Sequence, residues 1–280
     1  MAGIKTFGMA MAIVGGLGGS MAMGEPVQAE GLTIGAAHSL KGAFEEILPM
    51  FESEYGTTVR VVYGPTQSLR HQIEKGAQID VVLSSVEEID RLDKNGLVLS
   101  GGPQVYARTS LVLVMSATSQ ATPISFHDVL SDRGTRIALG DLDTSSVGAI
   151  TARALRRLDP AYRNLFHLIR AQHNEEVINL VHRGDADVGI VYRVDAIRSS
   201  GRVRIIEEGP TGSATPVQFG QAVVWTCRDE ARPVAEEFSR FIASSRIQKL
   251  LLKYGFEPVS GEGDAANAPR HRSEARDARH

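Results

Sequence analysis

Short apolar runs alternate with helical patterns along most of this chain, and the alternation limits its fold more than any other feature does. Runs such as 32–36 and 188–191 are short and apolar, as buried strands are. After the first of them, apolar residues recur at helical spacing from Leu40 to Phe51, and Gly56 follows as a natural helix end. Such βα alternation predicts an α/β fold of mainly parallel sheets flanked by helices. The predicted strands are 32–36, 58–63, 81–84, 111–115, 136–139, 188–191, 203–206 and 218–226.

Two extended runs, 109–115 and 218–226, predict that the chain forms two lobes. Each run is long enough to leave one compact unit and enter another, so together they predict a two-stranded hinge. The last segment of the chain lacks apolar periodicity and is rich in charge, which predicts a disordered tail. The predicted parts are lobe 1 at 30–110 and 222–259, lobe 2 as the insertion 111–221, and the tail at 260–280.

The amino-terminal segment has the pattern of a secretory signal peptide. Lys5 precedes an uncharged apolar stretch, and small residues lead up to Ala29, so residues 1–29 are predicted to be removed. The single cysteine, Cys227, can form no disulfide within the chain, and no cysteine follows the apolar stretch to carry a lipid. The net charge of −3 gives no basic field for nucleic acid. We therefore expect an exported protein of the bacterial periplasm.

Four predicted strand-to-helix junctions contain, taken together, Ser, Thr, small residues and glycine. In parallel α/β sheets such junctions lie at the carboxyl ends of strands, where two lobes can bring them together around one cleft. Each offers a capping side chain, as we expect of Ser39, and peptide N–H groups at the positive end of a helix dipole. No Lys or Arg stands at the turning points, which favours a small, fully deprotonated oxyanion held by neutral donors, among them the phenol of Tyr192. The junctions are 36–39, 64–68, 143–148 and 174–176.

Five segments together resemble one known family. They read AAHSL, SLRHQIEKGAQIDVVLSS, RIALGDLDTSSVGAITARAL, GDADVGIVYRVDA and LLKYGFEPV, and they span about residues 30–259. In these segments the chain is similar to the periplasmic molybdate-binding proteins of molybdate ABC transporters. The resemblance implies a type II periplasmic binding fold that closes on a tetrahedral oxyanion, with no enzymatic step and no cofactor. It implies as partners molybdate or tungstate and a membrane ABC permease with its ATPase, and we expect the binding protein to be a monomer.

The resemblance also implies a set of ligand-binding residues. The family usually has a small residue at the place of His38, a serine at that of Thr66, and often an apolar residue at that of Asn174, so the sequence leaves the identity of the anion open. The implied ligands are the hydroxyls of Ser39 and Thr66, the peptide N–H groups of Val147 and Asn174, and the phenol of Tyr192. Further residues expected to line the cleft are His38, Gln67, Ser146 and Gly148.

Two other interpretations stay open, and a third is disfavoured. The same fold could bind sulfate, phosphate, chromate or a small carboxylate; phosphate keeps a proton at neutral pH and needs a buried acceptor, for which Asp141 and Asp143 are near enough in sequence. An exported serine hydrolase is the alternative from another class, and Ser85 and Ser146 have suitable neighbours, but the chain contains no G-x-S-x-G. The eight histidines form no H-E-x-x-H or Cys–His pattern, so we predict no site for a metal cation.

Overall fold

The computed structural model describes residues 31–132, 134–142, 145–161, 167–209, 216–257 and 259. The predicted signal peptide (1–29) and tail (260–280) lie outside the described residues, and so do Asp143 and Thr144 of the third junction. The described strands form two sheets of five strands each. The first sheet contains β1 (Leu32–Ala37), β2 (Val59–Gly64), β3 (Val81–Ser85), β4 (Gln104–Thr109) and β10 (Val217–Val223). The second contains β5 (Leu111–Ser116), β6 (Ile137–Gly140), β7 (Leu168–Ala171), β8 (Val188–Tyr192) and β9 (Val203–Glu208).

Helices pack against both sheets and link most of their strands. The helices are α1 (Lys41–Tyr55), α2 (Thr66–Glu74), α3 (Val86–Lys94), α4 (Phe126–Ser131), α5 (Ser146–Leu158), α6 (Asn174–Arg183), α7 (Arg193–Arg198), α8 (Arg232–Ala243) and α9 (Ser245–Lys253). The first sheet is in contact with α1, α2, α3, α8 and α9, and the second with α5, α6 and α7. We call the first sheet with its helices lobe 1, and the second with its helices lobe 2. Within the described part of the chain, none of the helices is both long and apolar enough to cross a membrane.

The two lobes have the same arrangement of strands. The strand orders are β2-β1-β3-β10-β4 and β7-β6-β8-β5-β9. In lobe 1, β1 pairs in parallel with β2 and β3, whereas β10 pairs antiparallel with β3 and β4. In lobe 2, β6 pairs in parallel with β7 and β8, whereas β5 pairs antiparallel with β8 and β9. The predicted two-lobe α/β architecture is confirmed, but the sheets are mixed rather than mainly parallel. The antiparallel pairs involve the strands next to the crossings between the lobes. No βα unit sets the direction of these strands.

The chain crosses between the lobes twice. The first crossing is at Ser110, between β4 and β5, inside the predicted run 109–115. The second lies between the end of β9 and the start of β10 at Val217. The run 218–226 therefore lies in lobe 1 instead of forming the crossing, and lobe 1 resumes before residue 222. Its long apolar pattern has another cause, since β10 is an interior strand paired on both edges.

A buried ion pair in lobe 1 links two segments that lie far apart in the sequence. Asp80, which is fully buried, accepts the peptide N–H of Thr33 in β1 at 2.8 Å. Its carboxylate also lies 3.0 Å from a guanidinium nitrogen of Arg228, which follows β10. Arg228 donates in addition to the carbonyl of Gly31, just before β1. The three groups therefore join the start of β1 to the chain beyond β10.

We expect Asp80→Ala to lower the free energy of unfolding by about 2–4 kcal/mol, because it leaves a guanidinium and a peptide N–H without their buried acceptor. Chemical denaturation measures the loss. Asp187→Ala is the matched control: Asp187 also accepts a peptide N–H and a guanidinium, both from Arg136, but the two side chains are 45% and 44% exposed. The control should lose less than about 1 kcal/mol. Equal losses in the two variants would contradict the role given to Asp80.

Candidate functional site

A cavity of about 170 Å³ lies between the two lobes. On the side of lobe 1 it is lined by the residues that follow β1 and β2, and on the side of lobe 2 by those that follow β6, β7 and β8. The carboxyl ends of parallel strands in both lobes therefore face one space. This is where open α/β sheets bind ligands, and helices begin at the same edge with their N–H groups pointing outward.

Lobe 1 supplies two hydroxyl groups to the cavity. Ser39 lies in a 3₁₀ turn, His38–Leu40, that begins after Ala37, so Ser39 is not the helix cap that the sequence predicts. Its hydroxyl instead donates across the cleft to Oδ2 of Asp195 at 2.7 Å. Thr66 is the first residue of α2, directly after Pro65. The Thr66 hydroxyl is buried without a hydrogen-bond partner, so it is available to a ligand in the cavity.

Lobe 2 supplies the amino-terminal ends of two helices. Val147, which lines the cavity, is the second residue of α5, and the side chain of the preceding cap, Ser145, makes no hydrogen bond to the helix. Asn174 is the first residue of α6 and is also in the cavity wall. The cap of α6 is His173, whose Nδ1 accepts the N–H of Glu176 at 3.3 Å. The first N–H groups of both helices have no partner within their helix, which suits an anion.

Tyr192 ends β8 and is buried in the wall of the cavity. Its phenol lies 3.2 Å from the hydroxyl of Ser146, and its ring packs edge-on against Phe219 of lobe 1 with centroids 5.9 Å apart. Burial raises the pKa of Tyr192 above its ordinary value. The phenol therefore keeps its proton at neutral pH and can act as a donor.

Asp195, which the sequence analysis did not single out, is a buried carboxylate in the wall of the cavity. It is 1% exposed, and its Oδ2 accepts both the Ser39 hydroxyl and the Asn174 side-chain N–H, the latter at 2.8 Å. Its Oδ1 accepts from Arg198 at 3.0 Å. Burial raises the pKa of Asp195, although Arg198 and the donated hydrogen bonds oppose that shift. The cavity lined by hydroxyls and helix amino-terminal ends therefore also contains a buried acid.

Charged and titratable groups stand around the same cavity, beyond the neutral donors that the sequence predicts. The rings of His38 and His173 face each other from the two lobes, with centroids 5.3 Å apart. Burial, and to a lesser degree His173, lowers the pKa of His38, so this imidazole is neutral at neutral pH. Lys41 and Arg198 also line the cavity. Lys41 is the first residue of α1 and Arg198 the last residue of α7, so neither belongs to the four junctions named from the sequence.

Other residues named from the sequence are absent from the cavity wall, among them Ser85, the last residue of β3. Gln67 and Gly148 lie one residue beyond the lining residues Thr66 and Val147. Gly148 packs against the chain that follows β6, where a Cβ would lie 2.0 Å from the carbonyl oxygen of Asp141. Its role is therefore to let α5 approach that segment. Asp141 itself points elsewhere, 3.6 Å from Arg170, so it is not the buried acceptor that phosphate would need.

A second and larger cavity, of about 510 Å³, lies within lobe 2. Its lining residues include Met115 at the end of β5 and Gly184, which follows the last residue of α6. The carboxyl end of a helix carries the negative pole of its dipole, which disfavours an anion there. Among the residues that the structure describes, no three His, Cys, Asp or Glu side chains are grouped to hold a metal ion.

Comparison with known proteins identifies the class. A family model described as bacterial extracellular solute-binding protein matches residues 32–257. The chain belongs to this family, whose members bind solutes and are not enzymes. It is 26% identical over 230 residues to the molybdate-binding protein ModA of Escherichia coli, covering 80% of this chain and 88% of the relative.

Two solved structures share the fold. The periplasmic molybdate-binding protein of Azotobacter vinelandii superposes with a TM-score of 0.68 and 22% identity, covering 81% of this chain and 99% of the other. The sulfate-binding protein SubI of Mycobacterium tuberculosis superposes with a TM-score of 0.71 and 21% identity, covering 83% of this chain and 88% of the other. At these identities the likeness establishes the two-lobe fold alone.

We expect Thr66→Val to raise the free energy of unfolding of the ligand-free protein by about 1 kcal/mol, because it removes a buried hydroxyl that has no partner. Thr151→Val is the matched control, since Thr151 is a second buried, unpartnered threonine and lies in α5 outside the cavity wall. Urea denaturation should show a gain in both variants. A loss in Thr66→Val alone would mean that its hydroxyl has a structural partner.

Proposed function

We propose that this protein is the extracytoplasmic receptor for a tetrahedral oxyanion, molybdate and also tungstate, and delivers it to an ABC permease with its ATPase. The observation that carries the proposal is the cavity between the lobes, walled by hydroxyls and by the amino-terminal ends of helices. All five residues that the family resemblance assigns as ligands line it: Ser39, Thr66, Val147, Asn174 and Tyr192.

Hydroxyl groups and peptide N–H groups hold the anion. Thr66 and Tyr192 donate hydroxyl protons from opposite sides of the cavity. Val147 and Asn174 donate peptide N–H groups, and the dipoles of α5 and α6 favour the negative charge. Because the donors come from both lobes, the anion binds the closed arrangement better than the open one and shifts the equilibrium toward it. The permease then recognises the closed form. Residues 1–29 direct the chain out of the cytoplasm, and it acts as a monomer in the periplasm.

Hydrogen phosphate is the second candidate ligand, and one observation favours it. Phosphate carries a proton at neutral pH and is best bound where a buried acceptor can receive that proton. Asp195 is such an acceptor and lies in the wall of the cavity. Against it, both oxygens of Asp195 already accept hydrogen bonds from protein donors.

A panel of oxyanions tested by thermal denaturation separates the candidates. We expect molybdate and tungstate to raise the melting temperature of residues 30–280, because a ligand that binds only the native state stabilises it by mass action. Sulfate, chromate and phosphate at equal concentration should raise it little. A shift with sulfate or phosphate as large as that with molybdate would reject the assignment of the anion.

We expect Thr66→Val to weaken molybdate binding by about 1.5–3 kcal/mol, the usual value of a hydrogen bond to a charged group. Titration calorimetry measures the change. Thr151→Val should bind as the natural protein does, although both substitutions remove a buried unpartnered hydroxyl. Unchanged affinity in Thr66→Val would move the anion away from α2.

A further inference from the structure

The carboxylate of Asp195 competes with the proposed anion for the same donors. Oδ2 of Asp195 accepts the Ser39 hydroxyl at 2.7 Å and the Asn174 side-chain N–H at 2.8 Å. A serine hydroxyl has a single proton to donate. While Asp195 is ionised, that proton points at Asp195 and cannot also point at an anion in the cavity.

A dianion beside an ionised Asp195 would also face a like charge in a poorly hydrated space. Like charges at short range favour protonation of the acid, and burial acts in the same direction. The carboxyl group of Asp195 is 1% exposed, so water does little to screen the repulsion. Arg198 neutralises part of this charge by donating to Oδ1. In the described part of the chain, the hydrogen bonds to Oδ2 come from two neutral donors, Ser39 and Asn174.

We propose that Asp195 is the residue that sets the charge state the site accepts: it takes up one proton from solvent when a fully deprotonated dianion binds. The neutral carboxyl then donates from Oδ2 to Oγ of Ser39, and the Ser39 hydroxyl turns its own proton to the anion. Only hydrogen bonds are exchanged, and the proton stays on Asp195 until the anion leaves. The inference rests on the proposed function, since it requires a dianion in this cavity.

The state of Asn174 fits this exchange. Its side-chain Oδ1 is buried without a hydrogen-bond partner, while its Nδ2 donates to Asp195. A neutral Asp195 offers a donor at Oδ2. Rotation of the Asn174 amide by half a turn would place Oδ1 to accept that proton, and would release the N–H groups toward the cavity. Protonation of Asp195 therefore releases a donor toward the anion, either the hydroxyl of Ser39 or the side-chain N–H of Asn174.

Other charged groups that line the cavity affect the protonation of Asp195. Arg198 opposes protonation and Glu175 favours it. His38 is neutral at neutral pH because its pKa is lowered, but a bound dianion would raise that pKa, so this imidazole is a second candidate for proton uptake. The titratable groups that line the cavity with Asp195 are His38, Lys41, His173, Glu175, Tyr192 and Arg198.

The sign of the pH effect follows from linkage. Anion binding raises the pKa of Asp195, so binding takes up a proton at any pH between the pKa of the free protein and that of the complex. In that range, the affinity for molybdate rises by up to about tenfold for each unit by which the pH falls. Hydrogen phosphate brings its own proton and can donate it to ionised Asp195, so its binding takes up fewer protons.

Titration calorimetry with molybdate, in two buffers of different ionisation enthalpy at about pH 7, counts the protons taken up. We expect about one proton per anion in the natural protein and in His38→Gln, and about none in Asp195→Asn. Between about pH 6 and 8 the dissociation constant of Asp195→Asn should not change with pH, whereas those of the other two should. The side-chain amide of Asp195→Asn imitates the neutral carboxyl group.

Two results would overturn the inference: binding of molybdate by the natural protein with no proton uptake, or equal uptake in Asp195→Asn. If Asp195→Asn does not fold, infrared difference spectra of the natural protein decide, since molybdate should produce the C=O band of a protonated carboxyl group and its absence would reject the inference. If molybdate does not bind at all, the proposed function itself is rejected. If molybdate binds without proton uptake by the protein, only the role of Asp195 is rejected.

Discussion

The hydrogen bond from Ser39 to Asp195 is the contact on which the geometry of the site depends. It joins the turn after β1 in lobe 1 to α7 in lobe 2 at 2.7 Å, and its acceptor, Asp195, is buried. The bond holds the carboxyl ends of β1 and β8 face to face. An ion pair also joins the lobes, Glu87 with Arg153 at 3.0 Å, but it is about half exposed and contributes little by itself. The buried contact therefore brings the donors of both lobes around one cavity.

The electrostatics of the cavity combine the weak positive fields of helix ends and hydroxyls with a buried acid, Asp195, among other charged side chains. The amino-terminal ends of α5 and α6 and the hydroxyl of Thr66 favour an anion without carrying a full charge. Asp195 opposes it unless the acid is neutral or its donors are released. With the proposed role of Asp195, the site distinguishes anions by the protons they carry as well as by their size. The ionised acid would favour an anion that carries a proton. An anion without a proton would bind well only when Asp195 itself takes one up.

The sequence predicted most clearly those parts of the fold whose residues are buried on both sides. All residues of β1 and β8 are buried, so both strands read as continuous apolar runs, and α1 ends at Gly56, whose φ is +62°. The strands β4 and β7 were missed: β4 carries Arg108 and other polar residues, and β7 has only four residues, most of them partly exposed. The strands β2 and β9 are also mostly partly exposed, but they were predicted because Val and Ile, which favour strands, recur in them.

The candidate site was predicted unevenly for a related reason. Ser39, Thr66 and Asn174 stand at strand-to-helix junctions, which the sequence reveals locally. Asp195 and Arg198 lie within a short helix, and an acid near the start of a helix is ordinary. The importance of Asp195 comes from its contact with Ser39, which is 156 residues away in the chain and depends on how the lobes meet. Nothing local in the sequence could have indicated that contact.

A crystal structure of the protein grown with molybdate, recorded at the molybdenum absorption edge, tests the central claim most directly. The account predicts one anomalous peak in the cavity between the lobes, within hydrogen-bond distance of donors from Ser39, Thr66 and Tyr192. An empty cavity at saturating molybdate, or a peak only in the larger cavity of lobe 2, would contradict it.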